Sequence, residues 1–257
     1  MELCAQAPVY TNKVWQRSDA DPSDIPHSAT VTDGDMNVIV VGNTMNTAGN
    51  TDVLILKYDR EGDLLWQETY AGSAAASDYG VCVIVDDEGS IYIAAAILQG
   101  QGDDYDVAIL KYTSTGILDW DQIWDGPAGL HDIPAAMILG DDELFICGAS
   151  WADPLTTDYM LVKYDTGGNF FWEASYDHDS MIDAATHLAF DQNGDILVTG
   201  ASQADLAEWD YATLKYDRST GDPMDTIRVS VPGVGMTRSL QCMLQKMALR
   251  TSLAIAR

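Results

Sequence analysis

At 257 residues the chain can hold one large or two small domains with a substantial core. Its composition is globular, 47% hydrophobic and 21% charged, but 40 acids against 13 bases give a net charge of −27. Such a surface repels nucleic-acid phosphates and anionic membranes. No apolar run reaches the roughly 18 residues of a membrane span, so nucleic-acid partners and a spanning helix are both excluded.

In chain order, the opening "MELCAQAPVYTNKVW" lacks the charged start and apolar stretch of a signal peptide. It does carry Ala5-Gln6-Ala7, the small-x-small pattern that precedes cleavage sites. Residues 1–8 therefore read as the remnant of a truncated secretory signal, or as a ragged terminus, with mature protein expected from near Pro8. From Asp24 onward, short runs rich in Val, Ile, Tyr and Trp alternate with Asp, Gly and Asn turns, which is a strand pattern. Nothing in residues 28–231 reads as a long amphipathic helix.

These runs repeat. Lys-Tyr pairs fall at Lys57-Tyr58, Lys111-Tyr112, Lys163-Tyr164 and Lys215-Tyr216, at intervals of 54, 52 and 52. Five residues before each lysine stands an aspartate (Asp52, Asp106, Asp158, Asp210), and nine after the first three stands a tryptophan (Trp66, Trp120, Trp172). In the fourth copy Met224 occupies that count, with one extra residue in the turn. A second phrase recurs in register: "MNVIVVGNT" (36–44), "GSIYIAAAI" (89–97), "DELFICGAS" (142–150) and "GDILVTGAS" (194–202). Ahead of each lies an aspartate and an apolar run, at Asp24, Asp78, Asp132 and Asp183.

Each period thus holds four short strands, and turn phrases such as "YDREGD" and "DQNGD" supply glycine where a tight hairpin needs positive φ. Four antiparallel strands per period of about 52 residues is the arithmetic of a β-propeller blade. The expected fold is all-β: blades at about 24–70, 78–124, 132–176 and 183–231 within a repeat region 9–231. The innermost strand of each blade follows Asp24, Asp78, Asp132 or Asp183. Trp66, Trp120 and Trp172 are expected in equivalent buried positions between blades, with tyrosines packing and lysine stems covering apolar surface. Segment 9–18, "VYTNKVWQRS", matches the last strand of a blade, with Trp15 at the tryptophan position. The inner strands that would complete that sheet are missing, so an open or imperfectly closed ring with exposed edges is expected, and such edges favour self-association.

Residues 232–257 stand outside the pattern, with four bases (Arg238, Lys246, Arg250, Arg257) and no acid. Codons read from their third base turn Met236-Thr237 into Asp, Lys246-Met247 into Asp or Asn, and Met247-Ala248 into Gly. The last two fall at the offsets from the new Asp that Asn193 and Gly194 hold from Asp183. An aberrant tail made by a frameshift near Gly235 is the reading that follows.

The phrases "DYATLKYD", "GNFFW" and "GDILVTGAS" closely resemble the bacterial β-propeller repeat called SBBP, found in secreted and surface proteins, many from Bacteroidetes-type bacteria. The resemblance covers about residues 9–231. It implies a propeller fold and an extracellular location, and it brings no catalytic residues with it. "YDREGDLLW" and "YDTGGNFFW" also look like the tryptophan-docking repeat of PQQ-dependent dehydrogenases. Those enzymes need a complete ring, and they often carry adjacent cysteines that this chain lacks.

No catalytic motif stands out among 33 aspartates. Cys4, Cys82, Cys147 and Cys242 lack metal or redox spacing, and the four histidines form no cluster. "DGDMN" (Asp33, Asp35, Asn37) and "DQNGD" (Asp191, Asn193, Asp195) offer alternating oxygens, yet neither completes a calcium loop, and both sit where hairpin turns belong. No cofactor or metal site is assigned; weak calcium binding is the residual option. The loops between second and third strands vary most, and among them Trp151 is the candidate binding residue. The expected function is a non-enzymatic secreted or cell-surface interaction or adhesion module, with a protein or glycan partner. The alternatives are a propeller enzyme of PQQ or glycan-active type, and a spacer in a longer surface protein.

Overall fold

The computed structural model describes residues 25–74, 76–99, 104–204 and 208–230. Residues 1–8, read above as a signal remnant or ragged terminus, the segment 9–18 expected to form a strand, Asp24 and the basic tail all lie outside the described residues. Among the described residues sixteen strands form four sheets of four, every sheet in consecutive antiparallel order. The first sheet holds β1 (Ile25–Thr32), β2 (Val38–Met45), β3 (Thr51–Tyr58) and β4 (Leu64–Tyr70). The second holds β5 (Tyr79–Val85), β6 (Ile91–Leu98), β7 (Tyr105–Tyr112) and β8 (Leu118–Trp124). The third holds β9 (Asp132–Gly140), β10 (Glu143–Trp151), β11 (Thr157–Asp165) and β12 (Phe170–Tyr176). The fourth holds β13 (Asp183–Phe190), β14 (Ile196–Gln203), β15 (Trp209–Tyr216) and β16 (Pro223–Ser230). The expected all-β fold of four-stranded antiparallel blades is what the chain adopts.

The middle strands of the second and third blades, β6, β7, β10 and β11, are buried almost throughout because a blade covers each side, whereas β2 of the first blade and β15 of the fourth alternate in burial because one side lacks a neighbour. Three apolar layers result. The first joins Ile39, Val41 and Ile55 to Ile91, Ile93 and Leu110; the second joins Tyr92 and Ile109 to Leu144 and Val162. The third joins Phe145 and Leu161 to Val198 and Leu214. Each such side chain, once buried, contributes on the order of 1.5–3 kcal/mol. β1 packs on β5, β5 on β9 and β9 on β13, so the first strand of every blade lies nearest the axis. No comparable packing joins the fourth sheet to the first among the described residues, and the sheets form an open arc.

Gly148 and Gly200 are required by close approach. A Cβ at either would stand 2.0 Å from a carbonyl oxygen of the innermost strand, that of Ile133 or Ala184. Those strands carry a register shift at the same place, the bulge that brings their backbone inward.

The Lys-Tyr…Trp phrase is a staple between blades. A bulge after each lysine places Lys57 opposite Trp66, Lys111 opposite Trp120 and Lys163 opposite Trp172. Lys57 Nζ and Trp66 Nε1 both donate to the Ser114 carbonyl of the next blade, each at 3.1 Å. Lys111 Nζ and Trp120 Nε1 do the same to Thr166, at 3.3 and 3.1 Å. Lys163 Nζ donates to the Arg218 carbonyl at 3.0 Å. The three indole rings cover the positive-φ turn glycines Gly116, Gly168 and Gly221 of the following blade.

Two details differ from the sequence expectation. The tryptophans occupy equivalent positions but are half-buried, because they stand on outer strands whose far face meets solvent. Two of the lysines bury their charge as well as their stem: Lys57 is 4% exposed and Lys163 3%, and the Lys163 ammonium meets Glu143 at 2.5 Å. In the fourth blade the extra turn residue shifts the register, so Asp225 rather than Met224 stands opposite Lys215.

Candidate functional site

The antiparallel order sends the loops between second and third strands, and the linkers between blades, to the same end of the arc. Linkers are fixed there by the recurring inner-strand aspartates. Asp78 Oδ2 accepts Gly72 N–H at 2.7 Å, Asp132 Oδ2 accepts Gly126 N–H at 2.6 Å, and Asp183 Oδ2 accepts His178 N–H at 2.7 Å. Each aspartate thus ties down the linker that enters its own blade, replacing water on a carboxylate that the fold buries.

At the junction of the second and third blades this end carries a row of rings. Tyr79 and Tyr105 lie 5.8 Å apart, Tyr105 and His131 5.8 Å, and His131 and Trp151 5.4 Å in an edge arrangement. Backbone bonds set the row: Tyr105 N–H donates to His131 Nδ1 at 3.1 Å, and Trp151 N–H to the His131 carbonyl at 2.9 Å. All four rings are half-buried, so each packs on a neighbour and keeps an edge or face at the surface. Trp151, singled out from sequence, is the end of this row rather than an isolated aromatic.

Carboxylates lie alongside. Asp106 follows Tyr105, Asp132 follows His131, and Asp125 is the first residue after the preceding outer strand, β8. Oxygens of these three lie within 4.8 Å of one another, the one such group of potential metal ligands among the described residues. Burial, then the Asp125 and Asp104 charges, push the Asp106 carboxyl up to about 6. Burial also pushes Asp132 up to about 7, with Asp125 and Asp106 adding to it and the Ser150 hydroxyl and Gly126 N–H opposing it. At the next junction burial, Asp177, Asp183 and Asp153 push Asp158 up to about 6.

The turns considered for calcium hold lysine instead. Asp33 accepts the Asp35 and Asn37 N–H groups and pairs with Lys57 at 2.8 Å. Asp191 accepts the Asn193 and Asp195 N–H groups, and Lys215 meets both Asp191 and Asp195 at 2.7 Å. Their carboxylates are therefore committed to turn backbone and to the ammonium of the recurring phrase. Cys147 is buried and Cys82 half-buried, both unpaired, and burial raises the Cys82 thiol to about 12, as expected of small core residues.

Sequence reasoning found Trp151, and it noted the aspartates five residues before each lysine and at the head of each inner strand. It missed Tyr79, Tyr105, His131 and Asp125. The available signal for Asp125 was its place five residues after Trp120, shared by Asp177 after Trp172 but replaced by Ala71 after Trp66.

No family model matches the chain, and no curated protein does. Solved structures do share its fold. A protein of unknown function from Dyadobacter fermentans superposes with a TM-score of 0.55 at 11% identity, over 81% of this chain and 70% of that one. The periplasmic gluconolactonase PpgL of Pseudomonas aeruginosa gives 0.53 at 14%, over 80% and 58%. The subtype N10 neuraminidase-like protein of a bat influenza A virus gives 0.52 at 8%, over 79% and 66%. The chain spans 58% to 70% of these structures. At such identities the likeness establishes architecture alone. The chain has a β-propeller fold, open between its fourth and first described blades.

Proposed function

We propose that the chain is a non-enzymatic interaction module, secreted or displayed at a cell surface, built from SBBP-type repeats. Its ligand is a glycan, received at the rim between the second and third blades. The observation that carries this reading is the aromatic row Tyr79–Tyr105–His131–Trp151, which meets the most variable loops of the repeat. Half-buried rings supply apolar faces at little entropic cost, because packing already holds them. The surrounding carboxylates accept hydrogen bonds from hydroxyl groups and repel polyanions. The open ends of the arc add self-association to this reading, since uncovered sheets invite pairing with another copy.

A glycan array probed with the wild-type protein and Trp151→Ala, together with a hydrolase panel, tests it. Binding to a restricted set of glycans, weakened in the variant and without turnover, is expected. Turnover of any panel substrate would replace the module by an enzyme. Absence of glycan binding would shift the partner to protein. Light scattering that finds a strictly monomeric particle would remove the self-association.

A further inference from the structure

Three blade junctions are described, and one position among those that differ changes the local charge. In the linker, the position before the N–H donor to the inner-strand aspartate is Ala71 at the first junction, Asp125 at the second and Asp177 at the third. At the first junction both oxygens of the buried aspartate are satisfied within the protein: Asp78 Oδ2 by Gly72 N–H, and Oδ1 by Leu98 N–H at 2.9 Å. At the second and third, Asp132 Oδ1 and Asp183 Oδ1 are buried and have no hydrogen-bond partner. The orphaned oxygen therefore accompanies the extra carboxylate. A buried carboxylate oxygen without a donor is costly, and a second carboxylate beside it makes the cost worse unless positive charge joins them.

The second junction gathers these groups most tightly. Asp132 is 1% exposed, and its Oδ1 lies against Gly126, the residue after Asp125; a Cβ at Gly126 would stand 2.7 Å from that oxygen. The Ser150 hydroxyl lies at the same point, 2.8 Å from that Cβ position. Asp106 closes the group from β7, and Asp125 is exposed, which leaves an entry from solvent. Ligand oxygens within 4.8 Å of one another are what a cation with bonds of about 2.4 Å would hold around itself. The set is all oxygen, contains no nitrogen or sulfur, and stands on three separate chain segments, as suits a hard ion of flexible coordination rather than zinc.

We infer that Asp106, Asp125 and Asp132 form a calcium-binding site at the junction of the second and third blades, completed by solvent. The site clamps the linker to both blades beside the aromatic row, and it stands whichever ligand that row takes.

Titration calorimetry of the full chain, freed of divalent ions by a chelating resin, tests this with calcium chloride alone at physiological salt, where diffuse attraction to the acidic surface is screened. One saturable calcium per chain is expected. Asp125→Asn, which replaces an exposed side chain, weakens it tenfold or more. Asp177→Asn, the same change at the third junction, leaves it unaltered. No heat of binding at millimolar calcium overturns the site, as does affinity undiminished in Asp125→Asn. An equal loss in both variants also overturns it, since that would mean unspecific attraction. Circular dichroism of both variants confirms that the sheet signal is kept.

Discussion

Trp120 is the best place to measure what the recurring phrase does for stability. Its indole covers Gly168 of the next blade, lies 6.3 Å from the Tyr92 ring, and donates to the Thr166 carbonyl at 3.1 Å. Full burial would put the cost of Trp→Ala at about 3–5 kcal/mol. The ring is half-buried, so roughly half of that applies, about 2 kcal/mol. The lost hydrogen bond adds about 1 kcal/mol. Trp120→Ala is therefore expected to cost about 3 kcal/mol, a fall in Tm of roughly 6–12 °C for a domain of this size. Trp120→Phe keeps most of the ring and loses the indole N–H, while Lys111 Nζ still donates to Thr166. It should cost about 1 kcal/mol, or roughly 2–4 °C. Thermal unfolding followed by circular dichroism separates the two. If Trp120→Ala melts within a degree of wild type, the indole is not a clamp. If Trp120→Phe is as severe as Trp120→Ala, the hydrogen bond and not the ring holds the blades.

Gly168→Ala places a side chain at φ +84° with its Cβ 2.9 Å from the Trp120 ring. It should lower the unfolding free energy measured in urea by more than the roughly 1 kcal/mol of a relaxed turn. Lys57→Met leaves Asp33 buried beside an apolar group and should cost about 3 kcal/mol in urea unfolding. Lys163→Met should cost less than about 1 kcal/mol, because Glu143 keeps Arg218 at 2.7 Å. With calcium chelated, Tm should fall as pH rises from 5 to 8. The raised carboxyls, Asp106, Asp132 and Asp158, bind more protons folded than unfolded in that window, so their stabilising protonation is lost through pH 6–7. Depressed carboxyls such as Asp33 and Asp191 lose their contribution only below pH 4 and do not oppose the trend. Asp158→Asn should flatten the profile; a Tm that rises across this window in chelator would show that these carboxyls are solvated.

The fold was legible because its information is repeated. A phrase that returns at 52–54 residues with strand periodicity and turn glycines in register leaves few architectures open. What the phrase does was legible only in part. Trp66 and Trp120 could be placed between blades, but their sharing of one carbonyl with Lys57 and Lys111 depends on bulges that no residue announces. The fourth-copy register shows the same limit. Counting residues puts Met224 opposite Lys215, whereas the longer turn puts Asp225 there. The site was legible least. Trp151 could be noticed as a loop aromatic, but Tyr79, Tyr105 and His131 join it only through the way two blades meet. Asp106 and Asp132 could be noticed as recurring residues, but Asp125 was hidden among 33 aspartates, and nothing in the sequence showed that the three meet.

The central claim is that the chemistry of this propeller is concentrated where the second and third blades meet, with a cation beside a row of rings. Terbium, which replaces calcium and emits when excited through nearby indole or phenol groups, reports both features together. Titrating the ion-free protein while exciting the aromatic residues should give a saturable green emission that calcium displaces. That emission should be dimmed in Trp151→Phe and should need at least tenfold more terbium in Asp125→Asn. Emission that saturates at the wild-type terbium concentration in Asp125→Asn, or none in the wild-type protein, would contradict the account.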